Sequence, residues 1–174
     1  LGNKIVASAV EHSSVIEPLK KLEKEGFEVV YIKPDIYGRI DEKDIEKEID
    51  SDTILVSLMY VNNEVGAVNP VDKVKKIIAK KKSKAIFHMD AVQAFGKLDI
   101  SVKKLDVDLM TITAHKIHGP KGVGALYIKK GVLVSPIVYG GEQESKIRPG
   151  TESIALIAGF SEAIKALSPL KEKY

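Results

Sequence analysis

The chain has 174 residues, of which 44% are hydrophobic and 29% charged, and this balance excludes a disordered or collagen-like protein. It contains no cysteine, which excludes disulfides, thiolate metal ligands and a cysteine nucleophile within these residues. The net charge is +3, but 25 of the 27 basic residues are lysines, whereas nucleic-acid readers favour arginine. We therefore expect one globular domain over residues 1–174 that binds neither nucleic acid nor membrane.

Short β-branched runs alternate with amphipathic stretches along the chain, a pattern typical of parallel strands joined by helices. Strands are predicted at residues 4–8, 27–32, 53–59, 85–89, 109–113 and 124–129. Helices are predicted at residues 11–25, 41–49, 70–81 and 154–167. Asp41 is expected to cap the second helix, Pro70 to open the third, and Ile157, Phe160 and Ile164 give the last its apolar spacing. The order predicts a three-layer α/β/α domain with a mostly parallel sheet.

Polar clusters follow several of these strands, at the sheet edge where such folds bind ligands. They are Glu11-His12, Asn62-Asn63-Glu64, Asp90 with Gln93, and Thr113 to Lys116. Residues 111–124 add a glycine-rich loop, but neither a Walker A nor a dinucleotide-binding fingerprint is present. A nucleotide-binding domain is therefore disfavoured.

A lysine just after the end of a strand is a common site for Schiff-base formation with a carbonyl compound. Pyridoxal phosphate would also need phosphate donors, a carboxylate facing its ring nitrogen and a flat group against its ring. Thr113 and His115, Asp90, and His12 are candidates for these three tasks, in that order.

From about residue 4 to residue 167, the chain resembles the large domain of cysteine desulfurases. These are fold-type-I pyridoxal-phosphate enzymes of the class V branch. Four blocks carry the resemblance: VEHSSV at 10–15, MYVNNEVG at 59–66, HMDAVQAFG at 88–96 and AHKIHGPKG at 114–122. The cofactor implied by this resemblance is pyridoxal 5'-phosphate.

The resemblance implies a role for each matched residue. Lys116 would bind the cofactor covalently and act as general base, with Lys121 as the alternative lysine. His12 would stack on the ring and move protons, although a helix cap is its other interpretation. Asp90 would pair with the ring nitrogen, and Gln93 would bind the phenolic oxygen.

Three further residues belong to the cofactor-binding set that the resemblance implies. Asn63 would lie near the phenolic oxygen, with Asn62 as its alternative, and Thr113 and His115 would bind phosphate. His88 and His118 are interpreted as structural.

The stretch at residues 140–153 is similar to a family segment whose threonine reaches the phosphate of the other subunit. Thr151 therefore predicts a homodimer with shared sites, whereas a helix cap is the alternative interpretation. Glu142 and Pro149 depart from the family pattern.

The family's N-terminal phosphate loop and its C-terminal small domain, which carries the nucleophilic cysteine, have no counterpart in these residues. The resemblance implies sulfur transfer from L-cysteine, giving L-alanine and a protein persulfide for an iron-sulfur scaffold or a sulfur carrier. The 174 residues alone are expected to be inactive. The alternatives are a selenocysteine lyase, a class V aminotransferase or a non-catalytic truncated chain, and the expected location is the cytoplasm.

Overall fold

The computed structural model describes residues 2–171, with side chains as far as residue 167. Within this range the chain forms one six-stranded sheet: β1 (Lys4–Ser8), β2 (Glu28–Ile32), β3 (Thr53–Met59), β4 (Ile86–Asp90), β5 (Leu109–Thr113) and β6 (Gly124–Ile128). The spatial order is β2-β1-β3-β4-β5-β6, and every neighbouring pair is parallel except β5 with β6. The predicted α/β class and mostly parallel sheet are confirmed.

The described helices are α1 (Ser13–Lys24), α2 (Glu42–Glu48), α3 (Val71–Lys80), α4 (Val102–Leu105) and α5 (Ile154–Lys171), with short 3-10 helices at Ala114–Ile117 and Gln143–Lys146. Asp41 caps α2 as predicted, because its side chain accepts a hydrogen bond from the Lys43 amide at 2.8 Å. Three helices begin one or two residues later than predicted: α1 begins after its cap His12, α2 after its cap Asp41, and α3 after Pro70. The four-residue α4 was not predicted, since one helical turn leaves no periodic pattern.

Side-chain alternation along β1 separates two helical layers. Val6 faces a large core that it shares with α2 and α3, whereas Ile5 and Ala7 face Leu19 of α1. Such alternation is what a strand covered on both faces requires. The helices therefore lie on both sides of the sheet, as the strand and helix order predicts.

Helix α5 covers the sheet differently from the other helices. Phe160 is buried against Ala114 and Ile117, but Ile157 and Ile164 are 45% and 40% exposed. Of the three apolar residues that predicted this helix, Phe160 alone is buried. The helix thus packs on the segment after β5 through a narrow strip.

The strand order reverses between β1 and β3, since the chain runs from β1 to the edge at β2 and then returns to β3 on the other side of β1. In open parallel sheets, ligands bind outside the carboxyl ends of the strands at such a reversal. The exits of β1, β3, β4 and β5 meet at this edge.

Asp108, between α4 and β5, is a buried carboxylate with several donors. It accepts hydrogen bonds from the Phe87 amide and from Lys75 Nζ, each at 2.8 Å, and Lys129 Nζ lies 3.6 Å from its other oxygen. It is 4% exposed. Asp108 therefore ties β4, α3 and β6 together at the amino-terminal side of β5.

Replacement Asp108→Ala is expected to lower the free energy of unfolding by about 2–4 kcal/mol, because it leaves a buried amide and a partly buried lysine without their acceptor. The exposed pair Asp72 and Lys73 provides the control, since Asp72→Ala should cost less than about 1 kcal/mol. Urea unfolding measures both. Equal losses in the two variants would contradict this role of Asp108.

Candidate functional site

A cavity of about 300 Å³ opens beyond the carboxyl ends of β1, β3, β4 and β5. It brings together seven of the eight residues that the sequence singled out. These are His12, Asn63, Asp90, Gln93, Thr113, His115 and Lys116. A volume near 300 Å³ is at the lower end of the range for small-molecule sites.

His12 is positioned by the start of α1. It is the N-cap residue of that helix, and its Nδ1 accepts a hydrogen bond from the Ser14 amide at 3.2 Å, with Ser14 Oγ at 2.8 Å. His12 is thus a helix cap, as the alternative interpretation predicted, and it also lines the cavity. Because Nδ1 accepts from a backbone N–H, the neutral ring carries its proton on Nε2.

The two adjacent asparagines after β3 take different positions. Asn62 is buried: its Oδ1 accepts from the amides of Glu64 and Val65, and its Nδ2 donates to the Val10 carbonyl at 3.1 Å. Asn63 is exposed and lines the cavity. Asn62 therefore shapes the loop, and Asn63 is the asparagine of the two that lines this cavity.

Asp90 is the last residue of β4 and is 6% exposed. Its Oδ1 accepts a hydrogen bond from the Val92 amide at 2.9 Å, which fixes the carboxylate at the cavity wall. Gln93 follows in the next turn, where its Oε1 accepts from Lys97 Nζ at 3.2 Å. A buried carboxylate and an amide thus line one side of the cavity.

Lys116 lies on the 3-10 helix that follows β5 directly. Within the described part of the chain, no carboxylate is within ion-pair distance of its Nζ. Three residues before it, Thr113 Oγ1 lies 3.0 Å from His115 Nδ1 and donates to the Val123 carbonyl at 3.2 Å. A hydroxyl, an imidazole and an amine are therefore presented from one short segment.

Two glycines allow this segment to turn back into β6. Gly122 has a φ of +88°, which side-chain-bearing residues rarely adopt. A Cβ on Gly124 would lie 2.8 Å from the Ile112 carbonyl oxygen, so β6 could not pair as closely with β5. The glycine-rich loop therefore closes an antiparallel pair rather than forming a Walker-type phosphate loop.

Thr151 is the one predicted site residue that the structure does not bring to the cavity. It is exposed and lies three residues before α5, so the helix-cap interpretation is wrong, because the cap position belongs to Ser153. Its predicted contact is with another subunit. That contact remains a prediction.

His88 is structural in its contacts, as its sequence position suggested, but it supports the floor of the cavity. Its Nδ1 lies 2.8 Å from Ser57 Oγ on β3, and its Nε2 lies 2.9 Å from Thr111 Oγ1 on β5. Thr111 itself lines the cavity. Burial lowers the pKa of His88, although Asp90 opposes this shift. Thr111 is not among the predicted site residues, since a threonine inside a strand belongs to no recognisable motif.

No group of three or more His, Cys, Asp or Glu side chains within residues 2–171 is arranged to hold a metal ion. Over the same range, no helix is both long and apolar enough to cross a membrane.

The fold and the site are those of a known class of α/β proteins. The family model for class-V aminotransferases matches residues 1–173, and the chain belongs to this family. The family depends on pyridoxal 5'-phosphate.

Individual relatives agree with this assignment. The chain is 47% identical over 164 residues to a cysteine desulfurase IscS of Dictyoglomus turgidum, which covers 94% of this chain and 41% of the relative. A solved NifS-like protein has a TM-score of 0.93 and 42% identity, over 97% of this chain and 46% of that one. A structure described as SspA in complex with cysteine has a TM-score of 0.89 and 35% identity, over 94% and 47%. The chain spans less than half the length of these relatives.

The residues present fit pyridoxal phosphate. The cavity offers an amine on Lys116, a buried carboxylate on Asp90 and an aromatic ring on His12, while Thr113 and His115 add polar atoms from the Lys116 segment. These are the groups that a carbonyl, a protonated ring nitrogen, a flat ring and a phosphate require.

The position of His88 predicts a stability change with pH. Its pKa lies below the ordinary value of 6.5 in the folded protein, so the unfolded chain binds a proton first as the pH falls. The stabilisation that His88 provides is expected to be present above about pH 6.5 and to diminish as the pH falls toward 5. Urea unfolding of His88→Gln should show a loss of about 1–3 kcal/mol at pH 7.5 and a smaller loss at pH 5.

The exposed His118 provides the matched control, and His118→Asn should leave the pH dependence of unfolding as it is in the unchanged protein. A loss in His88→Gln that stays constant from pH 5 to 7.5 would contradict the burial of a neutral imidazole at this position.

Proposed function

We propose that this chain provides the cofactor-binding part of a pyridoxal-phosphate-dependent cysteine desulfurase. In this proposal, L-cysteine loses its sulfur to a protein thiol, which becomes a persulfide, and L-alanine is released. The support is the convergence of Lys116, Asp90 and His12 at one cavity, together with 47% identity to a cysteine desulfurase. The sequence contains no cysteine, so the accepting thiol is supplied from outside these 174 residues.

When bound, pyridoxal phosphate supplies an electron sink that stabilises negative charge at the substrate carbon next to the amine. Lys116 holds the cofactor through its Nζ and moves a proton at that carbon. Asp90 keeps the ring nitrogen protonated through its buried carboxylate, which the Val92 amide holds in place. Thr113 and His115 bind the phosphate, and Gln93 and Asn63 orient the phenolic oxygen.

His12 has a directional role that follows from its cap. With Nδ1 accepting from the Ser14 amide, the neutral ring presents its N–H at Nε2, so it can donate a hydrogen bond toward a substrate atom. The basic nitrogen Nδ1 is engaged in the cap, so His12 takes up a proton at that atom only when the cap is released. The helix start thus sets the tautomer of His12.

The remaining parts of the proposal concern the whole protein. The sulfur passes to an iron-sulfur scaffold or to a sulfur carrier for thiolation, and the enzyme is a cytoplasmic homodimer in which Thr151 reaches the cofactor phosphate of the other subunit. These 174 residues contain no thiol, so in this proposal they do not complete the reaction by themselves. The structure described as SspA in complex with cysteine supports L-cysteine as the substrate.

The first test is covalent attachment. The chain is mixed with pyridoxal phosphate, reduced with borohydride and measured by intact and peptide mass, and one adduct is expected on Lys116. Lys116→Ala should remove the adduct completely, because no other lysine among the described residues lines the cavity. Lys121→Ala is the matched control in the same loop and should retain it. An adduct that persists in Lys116→Ala, or is lost in Lys121→Ala, would contradict the assignment.

The second test concerns the carboxylate. Asp90→Asn removes the charge but keeps the shape, and we expect the Kd for pyridoxal phosphate to rise by about ten- to a hundredfold, as for the loss of a charge-assisted hydrogen bond. Absorbance titration measures the affinity, with the exposed Asp72→Asn as control. An unchanged Kd in Asp90→Asn would show that the ring nitrogen binds elsewhere.

A further inference from the structure

Glu11 is a buried carboxyl group beside the cavity to which the proposed reaction assigns no task. It is 7% exposed and directly precedes His12. Its Oε1 accepts two hydrogen bonds, from Ser8 Oγ and from the Met59 amide, each at 2.6 Å. Glu11 therefore joins the end of β1 to the end of β3 at the point where the chain enters His12.

The second oxygen of this carboxyl is in a different situation. Oε2 is buried and has no hydrogen-bond partner within the described part of the chain. An ionised carboxylate shares its charge over both oxygens, so a buried oxygen without a donor is strongly unfavourable. A protonated carboxyl carries no charge and therefore costs less to bury with one oxygen unpartnered, while its carbonyl oxygen still accepts the two hydrogen bonds.

The charges around Glu11 act in the same direction. Asp90 faces it from β4 and disfavours a second negative charge, and burial raises the pKa of Glu11 to about 7 against the opposing hydrogen bonds from Ser8 and Met59. Glu64, in the loop after β3, lines the same open cleft as Glu11 and His12, and it adds no positive charge. No lysine or arginine contributes to the shift.

We infer that Glu11 is a positioning residue that acts as a neutral carboxylic acid, holding the segment before His12 against the end of β3 and leaving Asp90 as the ionised carboxylate of the cavity. The positioning role rests on the proposed cofactor site. The protonation does not depend on it, since it follows from the hydrogen bonds and burial of the chain itself.

The protonation is tested by unfolding without cofactor. Glu11→Gln keeps the shape and the acceptor oxygen but cannot titrate. In the unchanged protein, the folded state retains a proton that the unfolded chain loses above about pH 4.5, so stability falls as the pH rises to about 7 and is level above it. Relative to Glu11→Gln, the unfolding equilibrium constant of the unchanged protein should rise at least about tenfold between pH 5 and 7.5.

His88 titrates in the same range with the opposite sign, but it is present in both proteins and cancels in the difference. The exposed Glu162→Gln is the control and should follow the unchanged protein at every pH. If the ratio of the unfolding constants of the unchanged protein and Glu11→Gln stays the same from pH 5 to 7.5, Glu11 is not a neutral acid in the folded protein.

The positioning role is tested by affinity for pyridoxal phosphate, measured by absorbance titration at pH 6. Glu11→Gln is expected to bind within about threefold of the unchanged protein, whereas Glu11→Ala, which loses both hydrogen bonds, should bind about tenfold or more weakly. Binding that is retained in Glu11→Gln but lost in Glu11→Ala would show that the position needs an uncharged hydrogen-bond acceptor rather than a negative charge. Ser8→Ala removes one of the two hydrogen bonds and provides a milder variant if Glu11→Ala does not fold, with an intermediate loss expected.

Three results would overturn the positioning role: unchanged affinity in both Glu11→Ala and Ser8→Ala, equal loss in Glu11→Gln and Glu11→Ala, or no binding of pyridoxal phosphate by the unchanged protein. The last result would also overturn the proposed function. The unfolding measurement would still decide whether Glu11 is neutral, so the two failures are distinguishable.

Discussion

Parallel pairing of four neighbouring strands is the constraint on which the site depends. In the register of β3 and β4, Ser57 lies opposite His88 and Met59 lies opposite Asp90. On the other side of Asp90, its partner on β5 is Thr111. Strands that run in the same direction end at the same edge, so residues separated by tens of positions in sequence meet there. A shift of one residue in this register would turn Asp90 toward the opposite face of the sheet.

The antiparallel strand β6 determines the position of Lys116. Parallel strands require a long crossover, whereas β5 and β6 are joined by a short return that begins at the sheet edge. Lys116 is carried on that return, close to where β5 ends, and the buried Ile117 beside it packs against Phe160 of α5. Gly124 permits the close approach of the two strands. The Lys116 amine is therefore held by a turn that is anchored on both sides.

Much of this arrangement could be predicted from sequence, for reasons that differ between elements. β3 and β5 have the predicted bounds because β-branched and apolar runs with polar ends leave little freedom in where a strand stops. Asp90 and Lys116 could be placed because Asp90 lies at the end of β4 and Lys116 lies three residues after β5. The direction of β6 could not, since one strand's composition does not distinguish parallel from antiparallel pairing.

Contacts between distant residues were less accessible to sequence reasoning. The hydrogen bonds of His88 to Ser57 and Thr111 depend on the order of β3, β4 and β5, which the sequence does not specify. The choice between Asn62 and Asn63 also required the structure, because it depends on which amide side chain turns into the loop. The predicted contact of Thr151 lies in a second subunit and stays a prediction.

The charge of the cavity is set by neutral groups on either side of Asp90. His88, two residues earlier on β4, has its pKa lowered by burial, and Glu11 has its pKa raised to about 7 by the same cause. Burial thus suppresses a positive charge on one side and a negative charge on the other. Between these two groups, Asp90 accepts a hydrogen bond from the Val92 amide, and in the proposed site its carboxylate would supply the one negative charge that faces a protonated ring nitrogen.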